Sequence, residues 1–232
     1  NPGVLIDTPA RRAVALARRA GFDNLSCDLI FALPGQTPDA LAQELGRFLD
    51  LGPEHLSCYG LTVEEGTAFA RMEADGELEL PDEERYAELF AQVHERLEAA
   101  GLRHYEISNY SRPRRECRHN LLYWRRRSCL AVGAGAHAFL DRGWGERRAV
   151  PPDFDALRAA LGRGESPAAR LEEYDRRGAM AETLYLGLRT ADGVDEALFA
   201  ERFGSGVAAA FPESVLRAGE RLSLRDGRWR LD

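Results

Sequence analysis

Between residues 9 and 20 the chain reads PARRAVALARRA, with apolar side chains at helical spacing and Gly21 as a C-terminal stop. That pattern predicts a helix. LSCDLIF (25–31) follows as a strand, closed by Leu33-Pro34-Gly35, and Thr37-Pro38-Asp39 opens a second helix to about Asp50 with proline at a favourable first-turn position. HLSCYGL (55–61) predicts a second strand, and an acidic loop comes after it. A long helix is expected over about Pro81–Ala100, with Tyr86, Leu89, Phe90, Val93 and Leu97 on one face. After Gly101, HYEISNY (104–110) predicts a third strand. The order strand–helix–strand–helix–strand, with crossovers of these lengths, predicts parallel pairing.

The pattern then becomes irregular until CLAVGAGAHAFL (129–140), which predicts a further strand whose glycines allow close backbone approach. Val150-Pro151-Pro152 marks a change of composition. Beyond it, helices are expected near 153–162, 175–189, 194–203 and 208–218. RLSLRDGRWRL then gives two alternating runs around Asp226-Gly227, a strong hairpin signal. The fold class predicted is α/β, with two domains, 1–150 and 151–232, the second a small α+β winged-helix-like module. A complete barrel of eight strands takes about 250 residues. The first domain is therefore either a small flavodoxin-like sheet or part of a larger barrel.

Composition narrows the class without naming an activity. The 232 residues are 44% hydrophobic and 30% charged, with 31 basic and 38 acidic side chains and a net charge of −7. No apolar run approaches the roughly 20 residues of a membrane helix, and Asn1–Asp7 shows no secretory pattern. Four cysteines, at 27, 58, 117 and 129, form no Cys-x-x-Cys pair, which points to reduced thiols and a cytoplasmic setting. Charge is uneven: Glu73–Glu88 is strongly acidic and reads as a solvated loop and helix start. Arg112–Arg127, RPRRECRHNLLYWRRR, carries seven arginines and one glutamate, with His119, Tyr123 and Trp124 among them.

Two strands carry unexpected polar groups. Ser26 and Asp28 share one face of LSCDLIF, opposite Leu25, Cys27, Leu29 and Phe31, and Glu106 and Ser108 share a face of HYEISNY. An unpaired buried carboxylate costs several kcal/mol. Each therefore needs either a structural partner, such as an arginine on a neighbouring strand, or a polar ligand facing it.

Four segments in order, GFDNLSCDLIFALPGQT (21–37), HLSCYGLTVEEGTAFA (55–70), HYEISNYSRPRRECRHNLLYW (104–124) and VGAGAHAF (132–139), resemble the radical SAM proteins related to oxygen-independent coproporphyrinogen III oxidase. His119-Asn120-x-x-Tyr123-Trp124 resembles the signature of that family's haem-chaperone branch, HemW. The resemblance runs from about Ala10 to Leu231. It implies a partial (β/α)6 barrel, of which this chain would be the C-terminal part, that binds a 4Fe-4S cluster and S-adenosylmethionine. Asp28, in the family's Asp-Leu-Ile-x-x-Leu-Pro motif, would contact S-adenosylmethionine, since an acceptor-only carboxylate suits ribose hydroxyls or an ammonium.

The family's Cys-x-x-x-Cys-x-x-Cys cluster motif has no counterpart here, so no residue of this chain is assigned to the 4Fe-4S cluster. Asn1-Pro2-Gly3 resembles a segment that follows an earlier barrel strand. The expectation is that an N-terminal barrel half and an internal segment are missing. Cys27 and Cys58 sit in apolar strand patterns and are expected in the core.

The resemblance implies haem as ligand. His119 would ligate iron, Tyr123 and Trp124 would offer flat faces to the macrocycle, and arginine would pair with propionates. His137 would lie near the cofactor by analogy. Cys117 and His119 with Cys129 are poorly spaced for a metal set, and His55, His94 and His104 belong to no constellation. The function implied is haem binding and delivery to acceptor apoproteins. The alternatives are the decarboxylating oxidase and, from another class, a winged-helix nucleic-acid-binding protein. The near balance of arginines and acids after Tyr174 speaks against nucleic acid as a partner.

Overall fold

The computed structural model describes residues 9–231, so the Asn1-Pro2-Gly3 segment lies outside the described residues. The chain divides into two units, Asn1–Glu116 and Cys117–Asp232.

In the first unit, α1 (Arg11–Arg19) ends where Gly21 N–H donates to Arg18 O (3.0 Å) and Phe22 N–H to Ala17 O (3.1 Å). These bonds satisfy carbonyls that the helix leaves open. β1 (Ser26–Phe31) leads through α2 (Pro38–Leu49) to β2 (His55–Gly60), and the two strands pair in parallel with Ser26 opposite His55. Thr37 caps α2 by accepting from Ala40 N at 3.2 Å. α3 (Ala68–Ala74) lies in the segment expected to be loop, and Thr67 caps it by accepting from Ala70 N at 3.1 Å. α4 (Glu83–Ala99) starts at Asp82, which accepts from Arg85 N at 2.8 Å, and buries Leu89, Val93 and Leu97 as its pattern predicts. Tyr86, expected on the same face, stays 40% exposed.

The predicted third strand is two. β3 (Arg103–Glu106) turns at Ile107–Ser108 into β4 (Asn109–Ser111), and the two pair antiparallel. β4 also pairs antiparallel with β2, giving the sheet order β1-β2-β4-β3. The expected run of parallel strands is corrected accordingly, within the expected α/β class. The cause is local: Glu106 accepts from Ser108 N and from Asn109 Nδ2 and so closes the turn. α2 and α4 supply Leu41, Leu45, Phe48, Leu89, Val93 and Leu97 to one core with Leu29, Phe31, Leu56, Cys58 and Tyr110 of the sheet. Alternation along each strand turns Ser26 and Asp28, His55 and Ser57, and Asn109 and Ser111 to the opposite face.

The second unit begins with α5 (Arg118–Trp124), in a stretch without a sequence pattern. The strand expected over 129–140 folds back on itself instead. Cys129 and Phe139 exchange backbone hydrogen bonds of 2.8 and 3.0 Å across the Gly133–Gly135 turn, and only β5 (His137–Leu140) is a regular strand. β5 pairs antiparallel with β6 (Glu146–Ala149), and β6, across α6 (Phe154–Gly162), pairs antiparallel with β7 (Ala169–Glu173). β6 and β7 thus lie on either side of Val150, and both belong to the unit that starts at Cys117.

α7 (Arg176–Gly187) follows, capped by Asp175, which accepts from Gly178 N at 2.6 Å. β8 (Val194–Asp195) precedes α8 (Glu196–Phe203) where one helix is expected. The last expected helix is split by Phe211-Pro212 into α9 (Val207–Ala210) and α10 (Pro212–Ala218). β9 (Leu222–Arg225) and β10 (Arg228–Leu231) form the predicted hairpin, and β8 adds to β10. Ala179, Met180, Val194, Phe199, Phe203, Val207 and Trp229 make the core of this part.

Candidate functional site

Two constellations carry chemistry, one in each unit. In the first, the polar face of the sheet holds Asp28, whose carboxylate is exposed on β1 and makes no hydrogen bond or ion pair among the described residues. An acceptor without a protein partner suits a polar ligand. Glu106, by contrast, is buried and satisfied by Asn109 and the Ser108 amide, not by the arginine that a neighbouring strand could have offered. Ser108 does not share its face in the expected way, because it sits in the turn and its carbonyl accepts from Cys58 N at 2.7 Å.

His55 has no sequence signal and yet stands at the centre of this face. It is 5% exposed, with Nδ1 at 2.8 Å from Ser26 Oγ and Nε2 at 2.8 Å from Tyr105 Oη. Burial pushes the imidazole below its ordinary pKa, although the nearby Glu106 and Asp28 carboxylates oppose this. A neutral ring with one donor and one acceptor nitrogen fits a chain between two hydroxyls. His104 stacks on Tyr110 at 4.5 Å, and His94 lies edge-on to His104 at 5.5 Å; both are packing residues. Cys58 is buried and its thiol is pushed up to about 12 by burial, so it is inert in the core, with Cys27 packed against the same core.

In the second unit α5 sets His119 and Tyr123 one helical turn apart. The Tyr123 hydroxyl is 3.1 Å from His119 Nε2, and their rings meet edge-on at 5.0 Å. The Cys129 thiol donates to Tyr123 Oη at 3.5 Å, and this contact, with partial burial, raises the phenol's pKa. Trp124, half-buried, lines two hollows, of about 230 and 760 Å³. Tyr123 and His137 line the smaller one, and Leu121 lines the larger. His119 lines neither and reaches the smaller hollow through Tyr123.

The arginine-rich run is not one surface. Arg115 pairs with Asp23 (3.8 Å) in the first unit, and Arg125 with Asp192 (3.1 Å) in the second. Arg126 is buried against Glu182, donates to Trp144 O at 2.9 Å, and sits over the rings of Phe139 and Tyr174. Arg127 forms no ion pair among the described residues and lines both hollows. Arg147 and Arg189, which no motif singles out, line the smaller hollow with it. Among the described residues no three His, Cys, Asp or Glu side chains gather as a metal site, and Cys117, His119 and Cys129 form no ligand set. The four cysteines likewise do not fit a 4Fe-4S cluster.

Comparison with known proteins adds the following. Residues 174–232 match the HemN C-terminal domain. The chain is 38% identical over 202 residues to the haem chaperone HemW of Bacillus subtilis, covering 87% of this chain and 52% of that protein. It is 34% identical over 231 residues to HemW of Mycobacterium tuberculosis, covering 97% and 58%. Its fold matches coproporphyrinogen III oxidase (HemN) from Escherichia coli, a radical SAM enzyme, with a TM-score of 0.75 at 16% identity, over 96% of this chain and 54% of that one. The chain thus spans about half the length of the proteins it matches.

Proposed function

Because the chain is HemW-like and carries a HemN C-terminal domain, we propose that it binds haem and passes it to acceptor proteins. The observation that carries this reading is α5, where His119, Tyr123 and Trp124 stand together and Trp124 borders a hollow of about 760 Å³. That volume is within the range of small-molecule and cofactor sites. Trp124 offers a flat apolar face to the macrocycle in that hollow, and Tyr123 contacts the ligand from the smaller hollow beside it. His119 ligates iron through Nδ1, because Nε2 is engaged by Tyr123. A second hydrogen bond of this kind fixes the tautomer and orientation of a ligating imidazole.

Asp28 is the proposed contact to S-adenosylmethionine, supported by its free carboxylate on the polar sheet face. That face would be the lumen side of a partial radical SAM barrel. The last helices with the β8-β10-β9 sheet would form the winged-helix-like module, within residues 174–232. A cytoplasmic location belongs to the same proposal; no described helix is long and apolar enough to cross a membrane.

A haem titration followed by absorbance tests the reading. The wild-type protein is expected to give a saturable Soret band, and His119→Ala to shift that band and weaken binding at least tenfold. An unchanged band and affinity in the variant would remove His119 as the iron ligand.

A further inference from the structure

We infer that the smaller hollow of the second unit is a carboxylate-binding pocket that takes the propionate edge of the tetrapyrrole, with Arg127 and Arg189 as its partners. This inference rests on the haem reading and specifies how the ligand is oriented. The hollow, about 230 Å³, is too small for a macrocycle but large enough for a charged side arm. Arg126, Arg127, Arg147 and Arg189 line it, and no acidic side chain does. Behind the wall, Glu182 pairs with both Arg126 and Arg147 and also accepts from Tyr174 Oη at 2.7 Å, and Glu172 lies 4.0 Å from Arg147. These two guanidiniums are therefore already matched by two carboxylates.

The other two arginines carry no such partner. Arg127 and Arg189 form no ion pair among the described residues, and both are exposed. Arg189 is held with its guanidinium 3.8 Å from the centre of the Tyr185 ring, which fixes its direction without neutralising it. The pocket therefore keeps a positive excess that an incoming carboxylate would meet through forked, charge-assisted hydrogen bonds.

The larger hollow differs in this respect. Its Arg125, Arg202 and Arg228 are already paired with Asp192, Asp141 and Asp195 at 3.1, 2.6 and 2.8 Å. A ligand carboxylate there would have to displace a protein one. Trp124 and Arg127 line both hollows, so a ring lying on Trp124 in the larger can extend its acid edge into the smaller. Charge therefore assigns the apolar ring to one hollow and the propionates to the other.

The test compares haem with haem dimethyl ester, in the same detergent, on the full chain. The wild-type protein should bind the free acid at least tenfold tighter than the ester. Arg127→Gln with Arg189→Gln should cut that preference to within twofold, while the Soret position of bound haem stays that of the wild type. Arg158→Gln, which removes a charge paired with Asp155 at 3.0 Å on α6, should leave the preference intact. Equal affinity of the wild type for acid and ester, with a normal Soret band, would overturn this inference and leave the haem reading standing. So would a preference that survives in the double variant. Absence of a Soret band with either ligand would overturn both.

Discussion

Glu182 holds two guanidiniums at once. Its side chain is 10% exposed and that of Arg126 only 5%, so the pair is out of water. Burial pushes the Glu182 carboxyl up, but hydrogen bonds from Tyr174, Arg147 and Arg126 outweigh it and hold the group below its ordinary pKa. Glu182→Gln would leave Arg126 buried and uncompensated, which costs about 3–5 kcal/mol. That loss is expected in urea unfolding at neutral pH. The folded-state pKa is depressed, so the contribution is fully present above the unfolded value, near 4.3. It fades as pH falls from there through the lower folded value. Stabilities of wild type and variant should therefore converge in acid; a gap that persists at pH 2 would show that charge is not its source. None of this was legible beforehand, because Arg126 and Glu182 are 56 residues apart and the arginine-rich run that holds Arg126 does not reveal its partner. The same holds for His55, whose partners Ser26 and Tyr105 lie 29 and 50 residues away. Asp28, His119, Tyr123 and Trp124 were legible as candidates because contiguous sequence marks them.

At the scale of elements, the terminal hairpin separates two kinds of glycine. Gly227 follows Asp226 in a turn where both have positive φ, 72° and 52°, the conformation that joins twisted strands tightly. A Cβ at Gly227 would meet open space, so Gly227→Ala should cost only the backbone strain, about 1–2 kcal/mol. Gly193, just before β8, also has positive φ (67°), but a Cβ there would lie 2.1 Å from Trp229 O on β10. That neighbour is backbone and cannot swing aside. Overpacking adds about 1–3 kcal/mol to the strain, and Gly193→Ala should therefore lower the melting temperature clearly more than Gly227→Ala. Equal shifts would mean that β10 yields. The Asp-Gly hairpin was legible because its turn chemistry is local. So were α2, α4 and α7, whose caps and apolar spacing are written in consecutive residues. α5 was not, since it has seven residues, no side-chain cap and no fully buried position. β7 is exposed throughout and shows no alternation, and it exists only because β6 pairs with it. The split of the third strand had the same cause: a side chain, Glu106, closes a turn inside an otherwise strand-like run.

Across the whole molecule, the two constellations fall in different units. Asp28, with the Ser26–His55–Tyr105 chain beside it, is in Asn1–Glu116, whereas His119, Tyr123, Trp124, Arg127 and Arg189 are all in Cys117–Asp232. Binding of haem and of S-adenosylmethionine should accordingly be separable by single substitutions. Asp28→Asn keeps the size of the side chain but gives up a charge, and on an exposed strand face it leaves the core untouched. It is expected to weaken S-adenosylmethionine binding at least tenfold by calorimetry, while the haem titration keeps its midpoint within twofold. His119→Ala should do the reverse. The unperturbed binding curve of each variant is also its control for folding. If Asp28→Asn lowered haem affinity as much as His119→Ala does, the two sites would be coupled. The proposed haem site could then no longer be assigned to the second unit alone.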